Sequence, residues 1–93
     1  MPTYVMLTNL TPDGVRTLKS NPGRVGEVNK EVEALGAKVV EQYAVLGRYD
    51  FITVIEAPDP ETMAKVSVEL GSRGTMASET LVAIPADELV QSI

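Results

Sequence analysis

The sequence predicts an α+β fold of order βαββαβ, a four-stranded antiparallel sheet with two helices on one face. Three observations predict it. Four short runs are rich in β-forming residues. Two longer segments carry apolar residues at helical spacing, and proline start signals precede both. Only a glycine-containing turn separates the second run from the third, whereas helical segments separate the others.

The first run, "TYVMLTNL" from Thr3 to Leu10, stops at Thr11-Pro12-Asp13. A threonine cap followed by proline at the first helical position starts a helix, because the missing N–H has no partner there anyway. This short helical piece carries Val15 and Leu18, and Asn21-Pro22 predicts a break before a longer helix. Val25, Val28, Val32 and Leu35 then fall on one helical face, and Gly36 ends it as a left-handed cap. "AKVVEQYAVL" (Ala37 to Leu46) and "DFITVIEA" (Asp50 to Ala57) read as strands joined by a two-residue hairpin at Gly47-Arg48. Asp59 caps a second long helix with Pro60 at its first position, Met63, Val66 and Leu70 inside, and Glu61 and Lys65 as an i,i+4 pair. "TMASETLVAI" (Thr75 to Ile84) is the fourth strand, and "ADELVQSI" after Pro85 has the length of a last helical turn. Right-handed connections turn this order into the ferredoxin-like plan within one domain spanning residues 1–93.

Composition narrows the chemistry. The 93 residues include no cysteine and no histidine, which removes thiolate and imidazole nucleophiles and the usual ligands of zinc, haem and iron. No metal site and no cofactor is expected. Net charge is −5, and the eight basic residues stand singly, so nucleic-acid binding, which needs a clustered basic surface, is not expected either. No apolar run approaches the roughly 18 residues of a membrane span, and the first residues lack the pattern of a secretory signal. A cytoplasmic protein with no membrane partner is the expectation.

Helices on one side leave the other side of the sheet uncovered. Centring the hairpin on Gly47-Arg48 pairs Ala44 with Phe51 and Val40 with Ile55. One face then carries Val40, Ala44, Leu46, Tyr49, Phe51 and Ile55 with Gln42 and Thr53. The other carries Val39, Tyr43, Val45, Ile52 and Val54 with Glu41, Asp50 and Glu56. Both faces are largely apolar, which predicts a homodimer or higher oligomer packed sheet on sheet. The competing expectation is that Ala86 to Ile93 folds back over the bare face.

The blocks "TPDGVRTLKSNPGR", "LGRYD", "VIEAPDPE" and "GSRGTMASETLVAI", in that order across essentially the whole chain, resemble the GYD domain family, named for its Gly-x-Tyr-Asp signature. The resemblance implies the dimeric α/β-barrel group of ferredoxin-like proteins. That group includes cofactor-independent monooxygenases, small isomerases and ligand-sensing domains of amino-acid-responsive regulators. The sensing domains carry a similar hairpin near an effector pocket between subunits. The family itself brings no established biochemical role, and likeness of fold does not assign one.

Candidate ligand-binding residues are Arg16, Arg24, Glu41, Tyr43, Arg48, Tyr49 and Asp50. At the hairpin two readings stand side by side. In one, Gly47 permits a positive φ, Tyr49 packs across from Leu46 and Asp50 accepts backbone N–H groups. In the other, Arg48 and Asp50 line a pocket and a tyrosine donates its hydroxyl to a polar ligand. Arg24 follows Asn21-Pro22-Gly23 at a helix start, where a guanidinium beside free N–H groups suits an anion, a partner's acid or solvent. Glu41 is expected either as a buried acid or paired with Arg16 or Arg48. Three functions follow: a small-molecule binding or structural homo-oligomer, a cofactor-independent enzyme using Glu41, Asp50 or a tyrosine, and an assembly module.

Overall fold

A computed structural model describes all residues from Met1 to Ile93. In chain order the elements are β1 (Thr3–Leu10), α1 (Pro12–Ser20), α2 (Arg24–Ala34), β2 (Lys38–Ala44), β3 (Phe51–Glu56), α3 (Pro60–Gly71), β4 (Met76–Ala83) and α4 (Ala86–Ser92). The sheet is antiparallel throughout, in spatial order β2-β3-β1-β4, which is the ferredoxin-like plan.

The start and stop signals act as the sequence predicts. Thr11 accepts the Gly14 N–H at 3.2 Å and Asp59 accepts the Thr62 N–H at 2.8 Å, each with proline next in line. α2 ends in a Schellman pair: Ala37 N–H donates to the Val32 carbonyl and Gly36 N–H to the Glu33 carbonyl, with Gly36 at φ +100°. Asn21 to Gly23 separate α1 from α2, as Asn21-Pro22 predicts. No ion pair joins Glu61 to Lys65; both side chains lie on the exposed side of α3.

One register detail corrects the predicted faces. Tyr43 pairs with Ile52 and Glu41 with Val54 as the hairpin arithmetic requires, but Ile55 pairs with Val39 and not with Val40. Val40 is the extra residue of a β-bulge, 46% exposed, while Val39 packs against the core. The bulge swaps the two valines and makes the helix-facing side continuous.

The helix layer covers its side of the sheet unevenly. Met63, Val66 and Leu70 of α3, all buried, pack with Tyr4, Met6 and Ile55 of the strands. From α2 only Val32 is buried, and from α1 only Gly14. On the opposite side nothing lies over the sheet. The molecule is 19 Å along its shortest axis, about one sheet plus one helix layer. α4 does not fold back: every residue from Ala86 to Ile93 is exposed, with Leu89 at 51% and Ile93 at 96%.

Candidate functional site

The Gly-x-Tyr-Asp corner is built around Asp50. Its N–H donates to the Thr8 carbonyl at 2.8 Å, its carboxylate accepts the Leu10 N–H at 2.8 Å, and its carbonyl accepts the Val45 N–H at 2.9 Å. Asp50 thus ties the corner to β1 as well as to β2. The expected two-residue turn does not form. No backbone bond joins Leu46 to Tyr49, and the loop is four residues long, closed by Val45 and Asp50. The Asp50 N–H faces β1 while its carbonyl turns back to the Val45 N–H, so the chain crosses over further out. Gly47 takes φ +114° within this loop.

Tyr49 does not pack against Leu46, which is fully exposed. It crosses β1 on the bare side of the sheet, and its hydroxyl donates to Glu79 Oε2 of β4 at 3.0 Å. That carboxylate holds the phenol above its ordinary pKa, with a small opposing effect from the Arg48 charge. Arg48 forms no salt bridge. Together Arg48, Tyr49, Glu79, Leu7 and Asn9 line a shallow hollow on the bare face.

Glu41 and Tyr43 lie on the same face at the β2 edge, both exposed. The Tyr43 hydroxyl donates to Glu41 Oε2 at 2.8 Å, which raises the phenol's pKa. Glu41 is therefore neither a buried acid nor the partner of Arg16 or Arg48. Arg16 is bonded to Asp13 within α1, at the far side of the helix layer's surface. Arg24 donates to Glu27 and Glu31, both at 3.1 Å. The seven candidates thus fall into four separate places: Glu41 with Tyr43, Arg48 with Tyr49 and Asp50, and Arg16 and Arg24 each apart.

Between the Glu41–Tyr43 bond at one edge and the Tyr49–Glu79 bond at the other, the bare face is apolar. Two rows cross the sheet there. Tyr43, Ile52 and Leu7 form one row and Val54, Val5 and Leu81 the next, each neighbour a registered cross-strand pair. None of the six is buried in the single chain.

A second concavity lies under α1 and α2, on the helix side of β1 and β3. It is a cavity of about 200 Å³. A relay crosses it: Asn29 Nδ2 donates to Gln42 Oε1 at 2.9 Å, and Gln42 Nε2 donates to Thr53 Oγ1 at 3.1 Å. Arg24 and Arg73 also line it. Glu31 stands between these two arginines and bonds both; Arg73 first, then Arg24, hold its carboxyl below the usual range against the opposing effect of burial. Thr8, Asn29, Glu31, Arg73 and Glu79 have no distinguishing spacing in the sequence. The one available signal is that Gln42 and Thr53 are the polar exceptions on an otherwise apolar hairpin face.

Sheet order, crossovers and a one-sided helix layer define the class: a ferredoxin-like α+β protein with an uncovered sheet face. The GYD domain family matches residues 4–93, and the chain belongs to that family. It is 50% identical over 91 residues to the glutamine synthetase and cystathionine beta-lyase binding protein of Thermus thermophilus, a match covering 97% of this chain and 96% of that protein. A crystal structure of another Thermus thermophilus protein, TTHA0845, superposes with a TM-score of 0.58 at 25% identity, over 91% of this chain and 95% of that one. The leucine response regulatory protein of Mycobacterium tuberculosis superposes with a TM-score of 0.63 at 10% identity, over 90% of this chain and 51% of that one. The last likeness is one of fold alone.

Proposed function

We propose that this chain is a self-associating binding protein: two copies pack bare face against bare face, and the pair docks on another protein, an enzyme of the kind for which its Thermus relative is named. The observation that carries this reading is the apolar block of Val5, Leu7, Tyr43, Ile52, Val54 and Leu81 on a face the chain leaves open. A monomer stable in water makes such a face polar. At about 25 cal/mol per Å² of apolar surface, covering even about 300 Å² contributes roughly 7 kcal/mol, comparable with the whole stability of a small domain. The free helix α4 supports the same reading. Seven residues do not hold a helix alone, and Leu89, Val90 and Ile93 stay exposed in the single chain, a surface that a second copy covers. The 50% identity to a protein named for binding two enzymes supports the enzyme partner.

Sedimentation equilibrium at micromolar concentration is the test of self-association. A dimer is expected for the parent and a folded monomer for Val5→Lys, which brings a charge from each copy into the apolar contact. A monomeric parent would overturn the reading. Biolayer interferometry against glutamine synthetase and cystathionine beta-lyase from the same organism tests the partner class, and no response to either at tens of micromolar removes it.

A second reading rests on Arg48. It lines the hollow by the hairpin without an ion-pair partner, which suits the anionic group of a small polar ligand held beside the contact between copies. Soaking with small carboxylates tests it: Arg48→Ala loses the bound anion and keeps the parent's melting temperature.

A further inference from the structure

The cavity under α1 and α2 has features that packing alone does not account for. Unfilled interior volume costs stability, and α3 shows that this helix layer can close on the sheet with three buried side chains. Under α2 the space stays open and carries polar groups. Thr8 is 4% exposed and makes no side-chain hydrogen bond, and no fully enclosed side-chain polar atom in the protein lacks a partner. Its hydroxyl therefore opens onto the cavity that it lines. Thr53 accepts from Gln42 and keeps its own hydroxyl proton free to donate. Two hydroxyls, on the adjacent strands β1 and β3, thus offer donor and acceptor capacity inside walls that are otherwise mainly apolar.

Charge decides which molecule fits. Arg24 and Arg73 are already taken by Glu27, Glu31 and Glu69, two cations against three anions. The rim has no surplus positive charge for an incoming anion, and a carboxylate pushed past it among the apolar walls would lose its hydration without a free partner. A neutral molecule meets neither obstacle. Size sets the rest. A dry cavity of about 150 Å³ admits benzene, so one of 200 Å³ scales to roughly eight non-hydrogen atoms.

We infer that this cavity binds a small uncharged molecule with an aliphatic body and one hydrogen-bonding group, an alcohol, ketone or primary amide, whose polar end meets Thr8 and Thr53. Hexanamide and hexanoate are matched probes, equal in shape and non-hydrogen atom count and different in charge. Both are titrated into the full-length protein and followed by amide chemical shifts, with Thr8 and Thr53 of the strands and Val28 of α2 as reporters. Hexanamide is expected to saturate these shifts, and hexanoate to bind at least tenfold more weakly. Thr8→Val, which keeps the shape and removes the hydroxyl, is expected to weaken hexanamide roughly fivefold, the usual effect of one hydrogen bond. Val28→Phe fills the cavity and abolishes the shifts. Equal binding of the two probes would overturn the proposal, as would unchanged binding to Thr8→Val or the absence of saturable shifts with hexanamide. Because Val28 lies in α2, on the helix side of the sheet, its shift reads the outcome independently of any contact on the bare side.

Discussion

Replacing Gly14 by alanine tests how α1 is seated. A Cβ added at Gly14 stands 2.0 Å from the Thr75 carbonyl oxygen and 3.4 Å from Leu10 Cβ, so backbone has to move by more than an ångström. That carbonyl accepts the Thr11 N–H at 3.0 Å, and the Thr11 hydroxyl donates to the neighbouring Gly74 carbonyl at 2.8 Å. Losing both bonds costs about 2 kcal/mol, and the overpacking adds about 1–3 kcal/mol. The better helix propensity of alanine returns at most about 1 kcal/mol. The net loss is about 2–4 kcal/mol, which in a domain of this size lowers Tm by roughly 10 to 25 °C. Gly26 is the control. It sits in α2, where an added Cβ meets nothing within 4 Å, so Gly26→Ala gains up to about 1 kcal/mol and raises Tm by several degrees. Circular-dichroism melts of the two variants therefore move in opposite directions. A Gly14→Ala protein that melts at or above the parent would refute the argument, because propensity alone would then govern the site.

The bulge and the arginine–glutamate cluster give two further expectations. Val39→Ser loses packing against the core and is expected to cost about 1 kcal/mol, whereas Val40→Ser stays within about 0.5 kcal/mol; urea midpoints at protein concentrations below the association range measure both. Glu31 has a folded-state pKa below its ordinary value, so its contribution is fully present above the unfolded pKa and is lost as pH falls through the depressed one. Glu31→Gln should therefore be less stable at neutral pH and lose less on acidification below about pH 5, near the top of a free glutamate's titration range. Parallel pH profiles for the two proteins would show that the cluster contributes nothing.

The elements are legible in the sequence because each is fixed by a local signal. Thr11-Pro12 and Asp59-Pro60 start helices, Gly36 stops one, and the structure uses all three as caps. The faces of β2 are only partly legible. Hairpin arithmetic places Tyr43 opposite Ile52 correctly, but a bulge inserts one residue without any required side chain, and two adjacent valines give no sign of which one the sheet turns outward. The hairpin misleads for a different reason. Glycine and aspartate near a turn fit a two-residue loop, yet Asp50 answers to β1, forty residues away in sequence, through the Leu10 N–H. A similar limit applies to the cavity. Thr8, Gln42 and Thr53 are ordinary strand residues one at a time, and Asn29 is an ordinary helix residue. They become a set only when β1, β2 and β3 are ordered side by side and α2 is laid across them. Local signals thus specify where this chain turns and which surfaces are apolar, while the polar groups that line the cavity are selected by strand order, which no single segment encodes.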